Sequence, residues 1–380
     1  MKWSGITVSY PKEVVLVKIT CIAWLIAKII SFKVWTADRY FPVAPVFDFL
    51  SFPNQFHLIL YALSLIGIAS IMLFPNKKII LGVVIVIELF SCLLDYMRWQ
   101  PWEYQYLLTL IFFLFAKDRK QFLSLLTFLL AATYIFSGIH KFSGSFLHSF
   151  WDNFVLYRLL GLSYGAAMNP LIHYPGLILS VIEVGIGIGM LFFRPKKYFA
   201  LLAMMMHLFI ILIFGPSGLN YNIIIFPWNL AMMALVGVVF CKNVAPNFSL
   251  SFFRSKFNTA VFLLIGILPM LCFFGRWDDY LSFNLYSGNI KTLVICVDDV
   301  QGYPELEQYQ STYKNKRYCD DRYSINTTIW ALDELKVAVY PEERVFKILQ
   351  ERFNQKYPSV KNTFVYYRYP YQNENIKEVP

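Results

Sequence analysis

The stretch QFLSLLTFLLAATYIFSGIHKFSGSF (121–146) decides the fold of this chain. Residues 121–139 are almost entirely apolar, and a charged side chain, Lys141, follows directly after them. An apolar helix of about 20 residues is long enough to cross the hydrocarbon of a bilayer. The pattern therefore predicts a membrane-spanning helix that ends beside an ionisable group.

Similar apolar runs recur through most of the 380 residues. The chain is 57% hydrophobic and 15% charged, with a mean hydropathy of +0.50, whereas soluble domains carry about 25% charged residues. We predict an all-α polytopic membrane helical bundle over residues 1–275, with an amphipathic segment at 142–170 along the interface. About nine spans are expected, near 14–35, 55–74, 78–95, 103–116, 121–139, 171–193, 198–214, 221–241 and 257–275.

The basic residues indicate how these spans are oriented. Cytoplasmic loops carry an excess of Lys and Arg, and alternate connections of this chain are rich in both. The richer set contains Lys2, Lys12, Lys77, Lys78, Lys117, Arg119, Lys120, Arg194, Lys196, Lys197, Lys242, Arg254 and Lys256. We therefore expect a cytoplasmic N-terminus and, with an odd number of spans, an extracytoplasmic C-terminal segment, as in a multi-pass protein of a bacterial inner membrane. The net charge of +10 then reflects topology, and no nucleic-acid partner is predicted.

Residues 276–380 are more polar and form a predicted soluble α+β cap. The stretches IKTLVICVDD (290–299) and NTFVYYRYPY (362–371) are typical of strands, and Pro341 is placed to begin a helix. Cys296 and Cys319 can form a disulfide if the cap is extracytoplasmic. The other four cysteines lie in or beside spans, where packing is their expected role.

The first group of candidate functional residues surrounds Lys141. Ser137, Gly138 and Tyr134 precede it by four, three and seven residues, so they share its helix face, whereas its neighbour His140 faces elsewhere. A lysine in an apolar site loses its charge easily and can then act as a general base. The alternative is a lysine that extends to the lipid headgroups from a helix end.

The second group lies in LLDYMRWQPWEYQY (93–106). Asp95, Arg98, Gln100 and Trp102 can form a polar wall around an aromatic ligand. The alternative is an interfacial aromatic belt with an Asp95–Arg98 pair at i, i+3.

The third group lies in MMMHLFIILIFGPSGLNYNIIIFPWNLAMM (204–233), which contains His207, Asn220, Asn222 and Trp228. His207 can carry a proton or donate to a carbonyl-bearing ligand, or it can be a structural histidine bonded across helices. Glu183, in the sixth span, can pair with His207 or Lys141, and Gly185-x-x-x-Gly189 permits close helix packing there. The five histidines show neither HxxxH nor His/Asp spacing, so we predict no metal site.

At SGIHKFSGSF the chain resembles the horizontally transferred transmembrane (HTTM) domain, a bacterial group related to vitamin K-dependent gamma-carboxylases. In that family a helix ends in an aromatic-rich pattern of a small residue, Gly, two variable residues and Lys, and the resemblance implies that the family's catalytic base lysine would fall on Lys141. LLDYMRWQPWEYQY and HLFIILIFGPSGLNYNIIIFPWNLAM are also similar to bacterial members.

The resemblance implies carboxylase-like lyase or oxidoreductase chemistry on a quinone-like cofactor. A base deprotonates a reduced quinone, whose anion then reacts with oxygen. Lys141 and His207 are the expected catalytic residues. The side chains expected to bind a quinone-like or lipid-like molecule are Asp95, Arg98, Gln100, Trp102, His140, Glu183, Asn220, Asn222 and Trp228.

Two other functions remain open at this point. One is a redox accessory protein like the DoxX/MauE group, in which Cys296 and Cys319 would exchange electrons between quinone and thiols. The other is a non-enzymatic lipid-binding, transport or assembly protein of the membrane.

Overall fold

The computed structural model describes residues 11–215, 218–241, 248–300, 302–369 and 375–379. Lys2, Lys242 and positions 216–217, which entered the sequence argument, lie outside these ranges. The described part is mostly helical. In chain order its α-helices are α1 (Lys12–Ile30), α2 (Asn54–Leu73), α3 (Lys78–Leu93), α4 (Pro101–Phe115), α5 (Arg119–His140), α6 (Gly144–Phe146), α7 (Tyr164–Ala167), α8 (Pro170–His173), α9 (Leu177–Phe192), α10 (Lys197–Phe214), α11 (Ile225–Val236), α12 (Lys256–Phe262), α13 (Pro304–Glu307), α14 (Thr327–Glu334) and α15 (Glu343–Lys356).

Short segments of 3₁₀-helix and π-helix connect or extend these α-helices. The 3₁₀ segments are Phe32–Trp35, Asp48–Leu50, Tyr96–Arg98, Tyr174–Gly176, Leu250–Arg254 and Leu268–Phe274. The π-helical segments are Leu147–Leu159, Gly237–Cys241 and Leu263–Ile267. We call Leu147–Leu159 the π-helix. It lies in the stretch for which the sequence predicts an interfacial helix.

Helical segments occupy all nine positions of the predicted spans. Within the described residues, five are long and apolar enough to cross a membrane by length and composition: Asn54–Leu73, Arg119–His140, Pro170–Phe192, Lys197–Phe214 and Lys256–Phe274. The others are less suited. The helices α3 and α4 have 16 and 15 residues, and α1 contains several charged side chains. The last, α11, passes into a π-helical segment at Gly237.

Local sequence signals set the helix ends. Pro101 is the first residue of α4, where its missing N–H costs nothing. The carboxylate of Asp118 accepts the backbone N–H of Gln121 at 2.8 Å and so caps α5. Long apolar side chains then favour helix through the interior, and α5 continues until Lys141 caps its C-terminal end.

The helix α5 lies at the centre of the bundle. In its most apolar 18-residue window, 83% of the residues are buried, compared with 28% in α2 and 28% in α10. The outer helices therefore present large apolar side chains outward, such as Ile66 of α2 and Met205 of α10. Apolar faces of this kind suit contact with lipid, so the arrangement supports a membrane protein.

The C-terminal segment contains a four-stranded antiparallel sheet in the order β2-β1-β3-β4. Its strands are β1 (Thr292–Val297), β2 (Tyr323–Asn326), β3 (Asn362–Tyr367) and β4 (Ile376–Glu378). Both predicted strands, β1 and β3, are present. The predicted helix is present as α15, although it begins at Glu343, two residues after Pro341.

The sheet and its helices pack directly onto the bundle. Val345, Leu349 and Phe353 of α15 are buried, and they belong to the same continuous apolar cluster as the residues of α1 and α5. Polar contacts add to this packing: the Glu334 carboxylate accepts the backbone N–H groups of Tyr40 and Phe41 at 2.6 and 2.8 Å. These contacts place the C-terminal segment over the loops that connect the helices.

Candidate functional site

Glycine at position 138 brings α9 against the end of α5. A Cβ atom at Gly138 would lie 2.7 Å from Val184 Cγ2, 2.8 Å from the Val184 nitrogen and 2.9 Å from the Ser180 oxygen. The backbone of α9 therefore occupies the groove that the sequence assigned to this glycine. Because Glu183 is adjacent to Val184, the close approach carries its carboxylate to the end of α5.

Lys141 and Glu183 form an ion pair. The Lys141 Nζ atom donates to Glu183 Oε2 at 2.6 Å and to Ser137 Oγ at 2.8 Å. The side chains are 12% and 7% exposed. The Lys141 amine therefore has a carboxylate partner in the folded protein. The partner is Glu183, which the close packing of α9 against α5 at Gly138 brings to the end of α5. Of the two partners considered for Glu183, the structure selects Lys141.

His207 takes part in a separate chain of hydrogen bonds between helices. Its Nε2 atom lies 2.7 Å from the Tyr134 hydroxyl, and its Nδ1 atom lies 2.7 Å from Asn229 Oδ1. Since the Asn229 amide nitrogen donates to the Ile225 carbonyl at 2.7 Å, its Oδ1 atom must accept from His207. His207 therefore carries its proton on Nδ1, and Nε2 accepts from the tyrosine.

The Lys141–Glu183 pair and the Tyr134–His207–Asn229 chain are neighbours, because Lys141 and Tyr134 both belong to the end of α5. Tyr134 lies two helical turns before Lys141, and Glu183 is close enough to act on Tyr134 electrostatically, as Lys141 is on His207. The expected candidates Lys141, Glu183 and His207 thus lie in one region of the bundle.

A cavity of about 260 Å³ lies between the bundle and the C-terminal segment. Four of the side chains expected to bind a ligand line it: Gln100, Trp102, Asn222 and Trp228. Aromatic and apolar groups supply most of the remaining wall. These include Phe150, Phe154, Phe214, Tyr221, Tyr280, Leu285, Tyr286, Ile290 and Leu332.

Polar contacts fix two of these wall residues. The Gln100 amide donates to the carbonyls of Met97 and Ala338, both at 3.0 Å, and so ties the loop before α4 to the C-terminal segment. The Asn222 side chain accepts the Ile224 N–H at 3.1 Å and also bonds to Tyr286. Burial raises the pKa of the Tyr286 phenol, so this wall group is neutral.

The cavity and the histidine chain meet at α11. Ile225 and Trp228 line the cavity, and Asn229 is bonded to the Ile225 carbonyl from within the bundle. Lys141 and His207 do not line the cavity. His207 is separated from the cavity wall by the Asn229 side chain.

Asp95 and Arg98 do not form the expected pair, and neither lines the cavity. Asp95 binds Arg39 instead, with Oδ2 at 2.6 Å from Nη2, and both side chains are fully buried. Arg98 donates to the Val34 carbonyl at 3.0 Å and bonds to His57 Nδ1 at 2.7 Å. The i, i+3 spacing is overridden because each side chain has other partners: Asp95 faces the loop before α2, and Arg98 bonds to His57 of α2 and Ser91 of α3.

Two further candidates also lie away from the cavity. His140 stacks on Phe273 with ring centroids 4.4 Å apart, on a face different from that of Lys141. Asn220 is exposed in the turn before α11, where its backbone has a φ of 45°. Gly185 also differs from expectation, because its α-carbon faces open space, and Gly187 instead makes the second close contact with α5.

Cys296 and Cys319 form a disulfide that joins β1 to the segment before β2. Both residues are fully buried in a small cluster with Val294 and Val365. A sulfur in such surroundings is inaccessible to an attacking thiolate. The bond therefore has the surroundings of a structural disulfide.

A second charged cluster lies inside the bundle; its acidic members Glu88 and Glu103 stand out in the sequence as ionisable residues near or within spans, but the partner Lys28 was missed. Lys28 of α1 lies 2.7 Å from the Glu88 carboxylate of α3, and both are fully buried. Glu103 of α4 accepts the indole N–H of Trp24 at 2.7 Å nearby. The signal was available, because Lys28 and Glu88 are ionisable residues within apolar runs.

Sequence reasoning also missed a His/Asp group on the π-helix. His148 and Asp152 are spaced i, i+4, so the statement that the histidines lack His/Asp spacing is wrong. His173 joins them in space, and the ligand atoms of all three residues lie within 4.8 Å of one another. Only the 148/152 spacing could have been found from the sequence.

No family model, curated protein or solved structure matches this chain.

Proposed function

We propose that this chain is a multi-pass membrane protein of the HTTM/gamma-carboxylase-like group, with its N-terminus in the cytoplasm and its C-terminal segment outside. The helices at all nine expected positions and the basic residues in alternate connections support this topology. The Cys296–Cys319 disulfide supports an oxidising location for the C-terminal segment. The resemblance at SGIHKFSGSF supports the group.

Within this topology, the cavity binds a quinone-like or lipid-like molecule. The observation that carries the proposal is that Gln100, Trp102, Asn222 and Trp228 line one cavity of about 260 Å³. Small-molecule sites are mostly apolar and aromatic, with a few polar groups that fix orientation. Aromatic walls suit a flat ring. The Asn222 amide can donate to one of its oxygens, and the Gln100 Oε1 atom, whose NH₂ group is engaged with two backbone carbonyls, can accept from a hydroxyl.

Lys141, Glu183 and His207 then serve in proton transfer. Within the ion pair, Glu183 can take a proton from the ammonium group and leave the amine free to accept another. Tyr134 and His207 both hold exchangeable protons, and the Asn229 side chain separates them from the cavity wall at Ile225 and Trp228. Because the Asn229 amide does not relay protons, the hydroquinone hydroxyl must reach this group directly or through water. It then loses its proton to the Lys141 amine, and two electrons pass to oxygen, so that hydroquinone and oxygen give quinone and hydrogen peroxide.

The binding part is tested by titrating purified protein with menadione, a short-chain naphthoquinone, and following the quenching of tryptophan fluorescence. We expect saturable quenching, weakened about 3- to 10-fold by Asn222→Leu, as loss of one neutral hydrogen bond predicts. Asn76→Leu, in an exposed turn, is the matched control. Ala338→Phe narrows the cavity and should abolish saturation. Equal binding by the parent and Ala338→Phe would refute the cavity as the site.

The catalytic part is tested by oxygen consumption with reduced menadione. Lys141→Ala should lower the rate by about 10²- to 10⁴-fold, the usual contribution of a general base. Lys120→Ala, an exposed lysine at the other end of α5, should retain the parent rate. If Lys141→Ala protein binds menadione normally and consumes oxygen as fast as the parent, the enzyme proposal fails and a non-enzymatic lipid- or quinone-binding protein takes its place.

The DoxX/MauE-like alternative is favoured by one observation, the bond between Cys296 and Cys319. It requires that bond to exchange with external thiols while the protein is folded. The full burial of both cysteines opposes this. Alkylation of both thiols in folded protein after mild reduction would support it.

A further inference from the structure

Three side chains on the side of the π-helix away from the cavity converge on one point. His173 Nδ1 lies 2.8 Å from Asp152 Oδ2 and 3.0 Å from Oδ1. His148 Nδ1 lies 3.2 Å from Asp152 Oδ2. Both imidazole rings thus point the same nitrogen at one carboxylate, whose side chain is 2% exposed. None of the three residues lines the cavity of the proposed function.

A tryptophan holds the two parts of this group together. His148 and Asp152 lie on the π-helix, whereas His173 ends α8. The Trp151 indole N–H donates to the Ile172 carbonyl at 2.8 Å. Its ring packs where a Cβ atom of Gly176 would lie, so only glycine at position 176 lets the segment approach. The geometry at Asp152 is therefore built by its neighbours and does not depend on the three side chains alone.

We propose that His148, Asp152 and His173 bind a divalent transition-metal ion. Two imidazole nitrogens and one carboxylate oxygen are a ligand set used by zinc and by non-haem iron, with further coordination positions left to water or substrate. Metal–ligand distances of about 2.0–2.2 Å in a tetrahedral site separate the ligand atoms by about 3.3 Å. The Asp152 Oδ2 atom lies 2.8 and 3.2 Å from the two Nδ1 atoms, close to this value, and the ligand atoms of all three residues lie within 4.8 Å of one another.

The orientation of the rings also permits binding. Both Nδ1 atoms face the Asp152 carboxylate. To bind a metal, each ring would be neutral, carry its proton on Nε2 and offer the Nδ1 lone pair. The His148 side chain is 31% exposed, which gives an ion a route from the solvent. Asp152 supplies a negative charge that offsets part of the ionic charge.

The proposal is tested on full-length protein in detergent, treated with EDTA and then dialysed. Titration with zinc chloride by calorimetry should show one high-affinity ion per chain. Cobalt(II) should give visible absorption bands of a low-symmetry nitrogen/oxygen site. His173→Ala should weaken zinc binding by at least about 100-fold, since even loss of an outer-shell partner costs 10- to 100-fold. His140→Gln, a histidine outside the group, is the matched control and should bind as the parent does.

Asp152→Asn provides a second variant, because asparagine can still accept a hydrogen bond from either ring and keeps the size of the side chain. It should fold as the parent does and lose the cobalt bands. The proposal is overturned if the parent gives no more zinc or cobalt binding than Asp152→Asn. In that case the three residues form a hydrogen-bonded structural group only.

Discussion

Replacement of Gly138 by alanine tests the close contact between α5 and α9. The added Cβ would meet Val184 Cγ2, the Val184 nitrogen and the Ser180 oxygen at 2.7, 2.8 and 2.9 Å, whereas ordinary contacts begin at 3.4 Å. Two of these three atoms belong to the α9 backbone, so a side-chain rotation cannot remove the clash. The helix must move away by several tenths of an ångström, and Glu183 moves with it.

The loss of unfolding free energy that the clash at Gly138 causes can be isolated by comparison with Gly185→Ala. A Cβ at Gly185 meets nothing within 4 Å, so this variant changes only the intrinsic helix propensity, by about 1 kcal/mol in favour of alanine. That gain is common to both variants. The difference between them is then the overpacking cost at Gly138, about 1–3 kcal/mol of unfolding free energy.

A thiol-reactive dye provides the assay, since Cys21, Cys92 and Cys272 are buried free cysteines that become reactive on unfolding. Gly138→Ala should melt a few degrees below Gly185→Ala and show lower oxygen consumption with reduced menadione. If the two variants melt together, α9 does not approach α5 at Gly138, and the positioning of Glu183 against Lys141 has no support.

Three further changes have defined outcomes. Glu88→Gln removes the carboxylate that contacts Lys28 in a fully buried site and leaves Glu103 as the nearest acidic group, so it should cost at most about 3–5 kcal/mol of unfolding free energy. Glu183→Gln should cost less because that pair is partly exposed, and melting curves with the dye compare the two variants. The Cys296→Ala/Cys319→Ala variant opens a bridge over a sequence separation of 23 and should lose about 3 kcal/mol, and an unchanged melting temperature would contradict this. Burial raises the pKa of Glu342 above its ordinary 4.5, so the folded state holds this proton more tightly. The resulting stability is present below pH 4.5 and is lost as pH rises through the raised pKa. Glu342→Gln should reduce the dependence of the melting temperature on pH between 4.5 and the raised pKa.

The positions of the helices could be predicted because each depends on a local property. Apolar runs of sufficient length locate the nine helical segments, and β-branched and aromatic residues locate β1 and β3. Four residues of the cavity wall were also predictable, since polar and aromatic side chains at helix ends on one side of a bundle tend to meet. The α15 face of Val345, Leu349 and Phe353 follows from helical periodicity alone.

The pairing of charged groups could not be predicted, because it depends on contacts between distant segments. Asp95 binds Arg39, which lies 56 residues earlier, in preference to its near neighbour Arg98. The sequence likewise cannot give the rotation of a helix about its axis. The Gly185-x-x-x-Gly189 pattern suggested one face of α9 for close packing. In the structure Gly189 does pack closely, against Phe199 of α10, but Gly185 meets nothing within 4 Å. The contact with α5 is made by Gly187, where an ideal Cβ would lie 2.6 Å from the Ala131 oxygen.

The structure contains two Lys–Glu pairs within the helical bundle, and their surroundings distinguish them. Lys28 and Glu88 are fully enclosed: the amine lies 3.1 Å from the centroid of the Trp35 ring, and the second carboxylate oxygen accepts from Ser64. This pair joins three helices and has no opening to water. Lys141 and Glu183 lie at a helix end, retain some exposure and adjoin the Tyr134–His207 chain. A group that transfers protons must exchange them with its surroundings, and of these two pairs only Lys141–Glu183 is partly exposed to solvent. The greater exposure of the Lys141–Glu183 pair and its position beside the Tyr134–His207 chain are therefore the reasons to test Lys141 first, with Lys28 as the enclosed counterpart.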